Sequence, residues 1–376
     1  MLFVFKYDST FVGRLIMPLG ISFYIFKIVS YLNDIYKEKI ECEFNPILYL
    51  DYVMFFPCIT AGPINRAKDF FEELKSKHEF EYTDISTGFF MLAVGLFEKV
   101  VVCDFIKTVT IRCLDNVELT GINVLLGVIL YSFEIYLDFD SYSNIAIGIA
   151  RMLGFKLKKN FNVPYLSAGI KDFWNRWHIS LSSWLKDYIY IPLGGSRKGI
   201  VRQYLNILIV FLFSSLWHGM TVNFVIWGMG HAVFRVLEDT FERYVYPGSK
   251  NKFIALFEKL LKIVLTFVLV TILWVFFRYQ NVNDALAVFN RIIDGGSFSY
   301  ETIGLTLMEF KWLVILVVSV ILSDLIRYFT DIFEFMGKRI FILRWALYVV
   351  MILVFLVFGV YGGGAFEAGD FIYKWF

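Results

Sequence analysis

Long apolar runs separated by short polar segments make up most of the chain. The clearest runs cover residues 203–217, 260–277, 312–322 and 345–361. Each of them, with its flanks, approaches the ~20 residues that a helix needs to cross the hydrocarbon core of a bilayer. Hydrophobicity is continuous within the runs and does not alternate, which argues against a transmembrane β-barrel. The pattern therefore predicts an all-α, polytopic integral membrane protein.

Other hydrophobic segments carry residues that a plain spanning helix lacks. Residues 46–63 contain three prolines and a glycine, which predicts a kinked or re-entrant segment covered by protein or water. The segments 85–113 and 122–153 contain charged residues, which we expect to face the bundle interior, a hydrated cavity or the membrane interface: Glu98, Lys99, Glu134, Asp138 and Asp140. In total we predict roughly eight to ten transmembrane or re-entrant helices in a single domain, residues 1–376.

Residues 171–190 follow a different period. At ~100° per residue, their apolar side chains fall within an arc of about 160° and polar side chains fill the other side. This pattern predicts an amphipathic interfacial helix, which the run at 191–195 (IPLGG) ends. His178 lies at the margin of the apolar arc, in line with Trp174 and Leu181. We therefore expect its ring to face the protein or the membrane and to avoid water.

The distribution of charge indicates which part of the chain faces the cytoplasm. Hydrophobic residues make up 58% of the chain, charged residues 19%, and mean hydropathy is +0.63. The formal net charge is only +2, but residues 151–202 contain ten lysines and arginines against two acidic residues. Because positively charged loops stay cytoplasmic, we place this segment on the cytoplasmic face of a cell inner membrane, where it also attracts anionic lipid heads.

Histidine is the first candidate for chemistry, because imidazole exchanges protons near neutral pH and the chain has only four. His218 lies at the predicted end of a hydrophobic helix, where Gly219 is expected to leave room for a ligand and Ser214 and Ser215 to orient the ring. The alternative interpretation of His218 is a core histidine hydrogen-bonded to a neighbouring helix. For His178 the alternative is a histidine of an interfacial helix without a catalytic role.

The remaining candidates are weaker. We expect His231 to be structural, and His78, in a charged loop, to be solvated. The four cysteines show no CxxC spacing, which favours small apolar residues over a disulfide framework or a zinc site. No HExxH, GxSxG, GxxxxGK[ST] or GxGxxG motif occurs in the expected context, so metal, serine-hydrolase and nucleotide chemistry lack support. We expect no metal and no nucleic-acid partner.

Several blocks of the sequence resemble the membrane-bound O-acyltransferases, in particular their bacterial alginate O-acetyltransferase branch. The blocks are 172–182 (DFWNRWHISLS), 187–195 (DYIYIPLGG) and 216–219 (LWHG), with support from 17–23 (MPLGISF), 61–64 (AGPI), 151–155 (RMLGF) and 274–278 (WVFFR). The resemblance covers essentially the whole chain. The IPLGG ending favours acetyl-transferring members over the branch that transfers D-alanine to teichoic acids.

The resemblance implies an enzyme and a direction of transfer. An acetyl group would pass from a cytoplasmic thioester, acetyl-CoA, across the membrane to a periplasmic or extracellular SGNH-type partner acetyltransferase, which esterifies a polysaccharide. His218 matches the family's catalytic histidine and His178 its second active-site histidine. The aromatic tail 365–376 resembles a terminal motif in which Tyr373 is an acyl relay; alternatively, it is an interfacial anchor.

From these roles we derive a mechanism. Neutral His218 acts as general base on the acceptor hydroxyl, while His178 positions the donor or stabilises the thioester carbonyl. Basic residues on the donor side attract the phosphates of CoA, and the candidates are Lys158, Lys159, Arg176, Arg197 and Lys198. Two alternatives remain open: D-alanyl or longer-chain acyl transfer by the same fold, and a non-enzymatic channel or scaffold for polysaccharide export.

The chain departs from the family pattern at two places. It begins at the family's Phe-Lys-Tyr segment (residues 5–7), so we expect the additional N-terminal spans of the family to be missing from this sequence. In addition, Asp140, Ser141 and Asn144 stand where Ser, Gly and Asp are commoner. The sequence alone offers no physical account of these three residues.

Overall fold

The fold is helical. A computed structural model describes residues 20–59, 62–77, 79–246, 248, 251–339 and 341–359. No strand occurs in these ranges, which confirms the predicted all-α class. Five of the described helices are long and apolar enough to cross a membrane. They are Ile122–Met152, Ile200–His218, Lys252–Arg278, Leu307–Phe329 and Phe341–Phe358.

The helices follow one another with short connections. Those up to the middle of the chain are α1 (Ile21–Tyr36), α2 (Pro46–Met54), α3 (Ala67–Leu74), α4 (Tyr82–Phe97), α5 (Asp104–Asp115), α6 (Ile122–Met152), α7 (Ile170–Arg176) and α8 (Ile179–Leu185). The remaining ones are α9 (Ile200–His218), α10 (Val222–Tyr244), α11 (Lys252–Arg278), α12 (Val282–Ile293), α13 (Leu307–Phe329), α14 (Ile332–Gly337) and α15 (Phe341–Phe358).

Prolines interrupt the segment at 46–63 as predicted. Pro46 occupies the first turn of α2, where its missing N–H is harmless, and the side chain of Asn45 caps the helix by accepting a hydrogen bond from the backbone N–H of Ile47 at 3.0 Å. The helix ends at Met54, and a 3₁₀ turn over Phe56–Cys58 holds the second proline. This segment is therefore too short and too bent to be a regular span.

Helix α6 is the centre of the bundle, and 78% of its most apolar stretch is buried. It packs closely against α4 because small residues face each other. A Cβ added to Gly88 would lie 2.6 Å from the carbonyl oxygen of Gly148, and one added to Gly95 would lie 2.7 Å from that of Ser141. Glycines at such contacts let helix backbones approach in a lipid environment, where no hydrophobic effect drives helices together.

The charged residues of the hydrophobic segments lie inside the bundle, as predicted. A π-helical turn over Glu98–Cys103 joins α4 to α5 and places Lys99 against two carboxylates. The Nζ atom of Lys99 lies 2.6 Å from Asp138 and 2.8 Å from Asp104. Asp138 is 2% exposed, so the pair is shielded from lipid and water alike. Pairing of this kind is what makes such charges tolerable in a membrane bundle.

Two of the three residues that depart from the family pattern pair with side chains outside α6. Asp140 accepts from Arg327 of α13 at 2.7 Å, and Asn144 donates to Glu98 at 3.4 Å. The Ser141 hydroxyl donates to the carbonyl oxygen of Asp138 at 3.2 Å and is fully buried. Asp140 thus has a cation from a distant helix, whereas the Ser141 bond is an ordinary one to the preceding turn of its own helix.

Residues 171–190 do not form the single amphipathic helix that their periodicity predicts. The segment is divided into α7, α8 and a π-helical turn over Lys186–Tyr190. The break lies at His178, whose φ of +43° and ψ of +54° are left-handed and therefore end a right-handed helix. The apolar arc itself is real, because Phe173, Trp177 and Leu181 are all buried inside the protein. The predicted stop at residues 191–195 is confirmed as a series of turns.

Candidate active site

His178 lies in the interior, at the break between α7 and α8. Its side chain is 1% exposed. The ring meets the edge of Phe139 at 4.6 Å between centroids and stacks on Phe23 of α1 at 6.5 Å. His178 lies outside the five candidate spans, and burial lowers the pKa of its ring to about 3, since water no longer solvates the charged form. The imidazole is therefore neutral near pH 7.

Asn160, in the connection between α6 and α7, holds this turn. Its Oδ1 lies 3.2 Å from Nδ1 of His178 and accepts from the Ser180 hydroxyl at 2.9 Å. Its backbone carbonyl accepts from the backbone N–H of Ile179 at 2.8 Å. Asn160 itself is 1% exposed. Sequence analysis missed this residue, because the hydrophobic pattern carries no signal that one buried amide serves a turn many residues later.

His218 is the last residue of α9 and is 5% exposed. Its ring is enclosed by aromatic side chains from three helices. Ring centroids lie 4.5 Å from Trp217, 5.1 Å from Trp227, 5.2 Å from Phe277 and 6.3 Å from Phe224. An enclosure of this kind keeps water away from an imidazole and strengthens any electrostatic interaction made there.

Two expectations about the surroundings of His218 are wrong. A Cβ at Gly219 would overlap the ring of Phe224, so the space beside this glycine is filled by the protein and is not left for a ligand. The hydroxyl of Ser215 donates to the carbonyl oxygen of Phe211 at 2.8 Å, which is the ordinary bond of a helical serine to the preceding turn. Ser215 therefore bonds to its own helix, and the Ser214 hydroxyl has no hydrogen-bond partner among the described residues, so neither serine orients the histidine.

Two aromatic rings connect the histidines. Phe23 lies 6.5 Å from the His178 ring and 6.4 Å from the Trp217 ring, and Trp217 in turn lies 4.5 Å from the His218 ring. Three elements that are far apart in the sequence, α1, the α7–α8 break and the end of α9, meet at this point. The two candidate catalytic histidines are thus both buried, and the rings of Phe23 and Trp217 lie between them.

His231 has a different environment. It is fully buried in α10, and its Nδ1 accepts a hydrogen bond from the indole Nε1–H of Trp174 at 3.3 Å. Its ring also stacks on Phe173 at 6.0 Å with an interplanar angle of 3°. These contacts tie α10 to α7 and agree with the structural role expected from the sequence. His78 and Tyr373 lie outside the described residues.

A polar cavity of about 470 Å³ lies beside helix α8. Its wall includes Ser180, which shares the Asn160 oxygen with His178. Six cationic and four acidic side chains also line it: Lys39, Arg66, Lys68, Lys156, Lys158 and Lys159, and Asp34, Asp69, Glu73 and Asp187. Among the described residues, the Nη1 atom of Arg66 has no hydrogen-bond partner. Arg66 lies two residues after the AGPI block, a position that could have identified it from the sequence.

The other three donor-side candidates lie elsewhere. Arg176 pairs with Asp172 at 2.8 Å and lies 5.5 Å above the ring of Tyr328. Arg197 and Lys198 are exposed in the turns that follow α8. None of these three lines the cavity within the described parts of the chain.

The basic segment 151–202 carries less unpaired positive charge in the folded protein than its sequence suggests. Acidic residues from distant segments neutralise several of its cations. Lys158 lies 2.5 Å from Asp69 and Lys159 lies 2.6 Å from Asp331. Part of the positive charge of this segment is therefore paired in the folded protein, and the two paired lysines Lys158 and Lys159 lie at the cavity.

No group of three or more His, Cys, Asp or Glu side chains that could hold a metal occurs in the described residues. The four cysteines, all of which the structure describes, are free thiols, and Cys58, Cys103 and Cys113 are buried.

Comparison with known proteins shows which family the chain belongs to. The family model for "MBOAT, membrane-bound O-acyltransferase family" matches residues 38–283. The chain belongs to the membrane-bound O-acyltransferase family. With five apolar helices long enough to span a bilayer, this member of the family is a membrane-bound, multi-span protein.

Three curated relatives in this family show the range of named activities. A "Probable alginate O-acetylase AlgI" of Pseudomonas fluorescens is 33% identical over 322 residues, 85% of this chain and 63% of the relative. A "Peptidoglycan O-acetyltransferase" of Helicobacter pylori (strain ATCC 700392 / 26695) is 36% identical over 308 residues, 74% of this chain and 57% of the relative. A "Teichoic acid D-alanyltransferase" of Bacillus subtilis (strain 168) is 32% identical over 248 residues, 61% of each. The chain spans less than two thirds of each relative's own length.

Proposed function

We propose that this protein is a membrane O-acetyltransferase. It moves acetyl groups from a cytoplasmic donor, acetyl-CoA, across the inner membrane for O-acetylation of an extracytoplasmic polysaccharide. The observation that carries the proposal is that His178 and His218 are both buried and are linked through two successive aromatic rings, Phe23 and Trp217. Relatives named as alginate and peptidoglycan O-acetylating enzymes support the choice of group and of acceptor class.

His218 acts as the general base. The acceptor hydroxyl gives its proton to the imidazole while its oxygen bonds to the thioester carbonyl carbon. The carbon–sulfur bond then breaks, and the thiolate leaves and takes up the proton. The aromatic wall around His218 excludes water, which would otherwise hydrolyse the thioester. A base of this kind typically contributes ~10²–10⁴-fold to the rate.

The donor enters at the polar cavity, with the CoA phosphates on Arg66, Lys158 and Lys159. The cations line the cavity, and Ser180 lies in its wall next to the Asn160–His178 hydrogen bond, so the cavity leads toward the site. A periplasmic or extracellular SGNH-type acetyltransferase receives the acetyl group on the other side. Tyr373 stays a candidate relay residue in this scheme.

A second candidate function is D-alanyl transfer by the same site, which the teichoic acid relative supports. Membranes containing the protein, supplied in parallel with labelled acetyl-CoA and with a labelled D-alanyl thioester, separate the two. We expect label from acetyl-CoA in the polymer ester fraction and none from the D-alanyl donor. The opposite pattern would reassign the substrate, and label from neither would favour a non-enzymatic export component.

Replacing Arg66 with alanine should weaken donor binding. A charge-assisted bond to a phosphate contributes ~1.5–3 kcal/mol, so we expect the KM for acetyl-CoA to rise about tenfold or more with kcat nearly unchanged, as for any interaction made equally in ground and transition states. Steady-state acetylation by purified protein measures both constants. Lys198→Ala is the matched control, because Lys198 is exposed outside the cavity. A fall in kcat with an unchanged KM would contradict the assignment of the cavity.

A further inference from the structure

A backbone N–H group determines which way the Asn160 side-chain amide is oriented. Its Oδ1 lies 3.3 Å from the backbone nitrogen of Ser180, and a backbone N–H can only donate. The amide oxygen, and not the amide nitrogen, therefore faces α8. The other end of the amide agrees, because Nδ2 lies 3.3 Å from the hydroxyl oxygen of Ser143 in α6. Asn160 is 1% exposed, so no exchange with solvent competes with these bonds.

This orientation determines where the proton of His178 lies. The same Asn160 oxygen is 3.2 Å from Nδ1 of His178. An amide oxygen carries no hydrogen, so the ring nitrogen must supply it. A neutral imidazole has one N–H, and the other nitrogen then carries a lone pair. The ring is therefore the Nδ1–H tautomer with a basic Nε2.

The backbone of His178 needs the same support. Its φ of +43° is unfavourable for a residue with a side chain, at a cost on the order of 1–3 kcal/mol. Asn160 stabilises this conformation from two sides, since its carbonyl accepts from the N–H of Ile179 and its side chain accepts from Ser180. One residue thus determines both the turn and the protonation pattern of the ring.

We propose that Asn160 is a positioning residue that holds His178 as the Nδ1–H tautomer, so that Nε2 serves the active site as a hydrogen-bond acceptor. The part of this inference that concerns catalysis rests on the proposed function. Its partner is an O–H or N–H group of a substrate. A thioester carbonyl oxygen offers no hydrogen to Nε2, so this assignment replaces the expectation that His178 stabilises that carbonyl.

Nitrogen NMR of protein labelled with ¹⁵N-histidine tests the tautomer without any substrate. His178→Gln identifies the signals of this residue by difference. We expect a protonated Nδ1 and an unprotonated Nε2 in the unsubstituted protein, and a mixture of tautomers or a reversed one in Asn160→Ala. A protonated Nε2 in the unsubstituted protein would overturn the inference, whether or not the protein transfers acetyl groups.

Kinetics test the positioning role. Loss of the hydrogen-bond partner that orients a metal-bound histidine costs ~10–100-fold in activity. By analogy we expect Asn160→Ala to lower kcat about tenfold or more with little change in KM. Asn160→Asp keeps an acceptor oxygen, so it should retain the tautomer and move the acid limb of the pH–kcat profile to higher pH, because the new carboxylate favours the imidazolium. Asn162→Ala, at an exposed position of the same connection, is the control.

The outcomes remain decisive if a variant folds poorly. If Asn160→Ala does not accumulate in the membrane, the spectrum of the unsubstituted protein still decides the tautomer. An Asn160→Asp profile that does not move, or equal losses of kcat in Asn160→Ala and Asn162→Ala, would reduce Asn160 to a packing residue. Normal tautomer assignment with no transferase activity in any variant would instead refute the proposed function alone.

Discussion

Replacing His218 with alanine should lower acetyl transfer by at least ~10²-fold and by up to ~10⁴-fold, which is the usual contribution of a general base. The imidazole is held by rings from three helices, so no neighbouring base can move into its place. Transfer from labelled acetyl-CoA by membranes with matched protein content measures the effect.

The control for this variant is His231→Ala. It removes an equally buried imidazole from the same bundle, one that accepts a bond from Trp174 and serves packing. If both variants accumulate in the membrane, only His218→Ala should lose transfer by orders of magnitude. Near-normal transfer by His218→Ala would refute its role as the base, and equal losses in the two variants would point to a general effect of cavities in the bundle.

The largest expected effect on stability comes from Lys99→Met. Lys99 is the shared partner of Asp104 and Asp138, whose side chains are 6% and 2% exposed. Methionine fills a similar volume but leaves two buried carboxylates without their cation. Breaking a buried ion pair in this way costs ~3–5 kcal/mol, because the remaining charge has lost its solvent and its partner. Denaturant titration in detergent micelles gives the change in the free energy of unfolding.

A surface pair provides the matched comparison. Lys262 and Glu242 lie 2.6 Å apart, as close as the buried pair, but their side chains are 42% and 49% exposed. Lys262→Met should therefore change the free energy of unfolding by no more than ~1 kcal/mol. Adding Asp138→Asn to Lys99→Met should recover part of the loss. Equal effects of the two lysine variants would mean that water reaches Lys99 freely.

The long helices could be predicted from the sequence because continuous hydrophobicity determines them directly. The apolar run at 203–217 became α9, Ile200–His218, and the segment at 122–153 became α6, Ile122–Met152. The sequence also indicated that Asp138 and Asp140 would face the interior, since an acid in lipid is costly. Their cations could not be predicted, because Arg327 comes from a helix far away in the chain.

The break at His178 could not be predicted from periodicity. The side chains before and after His178 fall on the same apolar arc. The hydrophobic pattern therefore continues through His178, although the helical backbone is interrupted there. The cause is a hydrogen-bonding residue, Asn160, that precedes the whole segment. The candidate histidines were identified by residue type and by resemblance, whereas the two rings that link them, Phe23 and Trp217, became evident only from tertiary structure.

Some ion pairs of the protein are exposed to water, and others are buried in the bundle. Lys158 and Lys159, at the polar cavity, are 79% and 53% exposed in their pairs, so dissolved counterions reach them. Screening over a Debye length of ~8 Å at physiological ionic strength weakens such contacts, whereas the pair of Lys99 is out of reach. Added salt therefore weakens the ion pairs at the rim of the cavity and leaves those at the centre of the bundle unchanged.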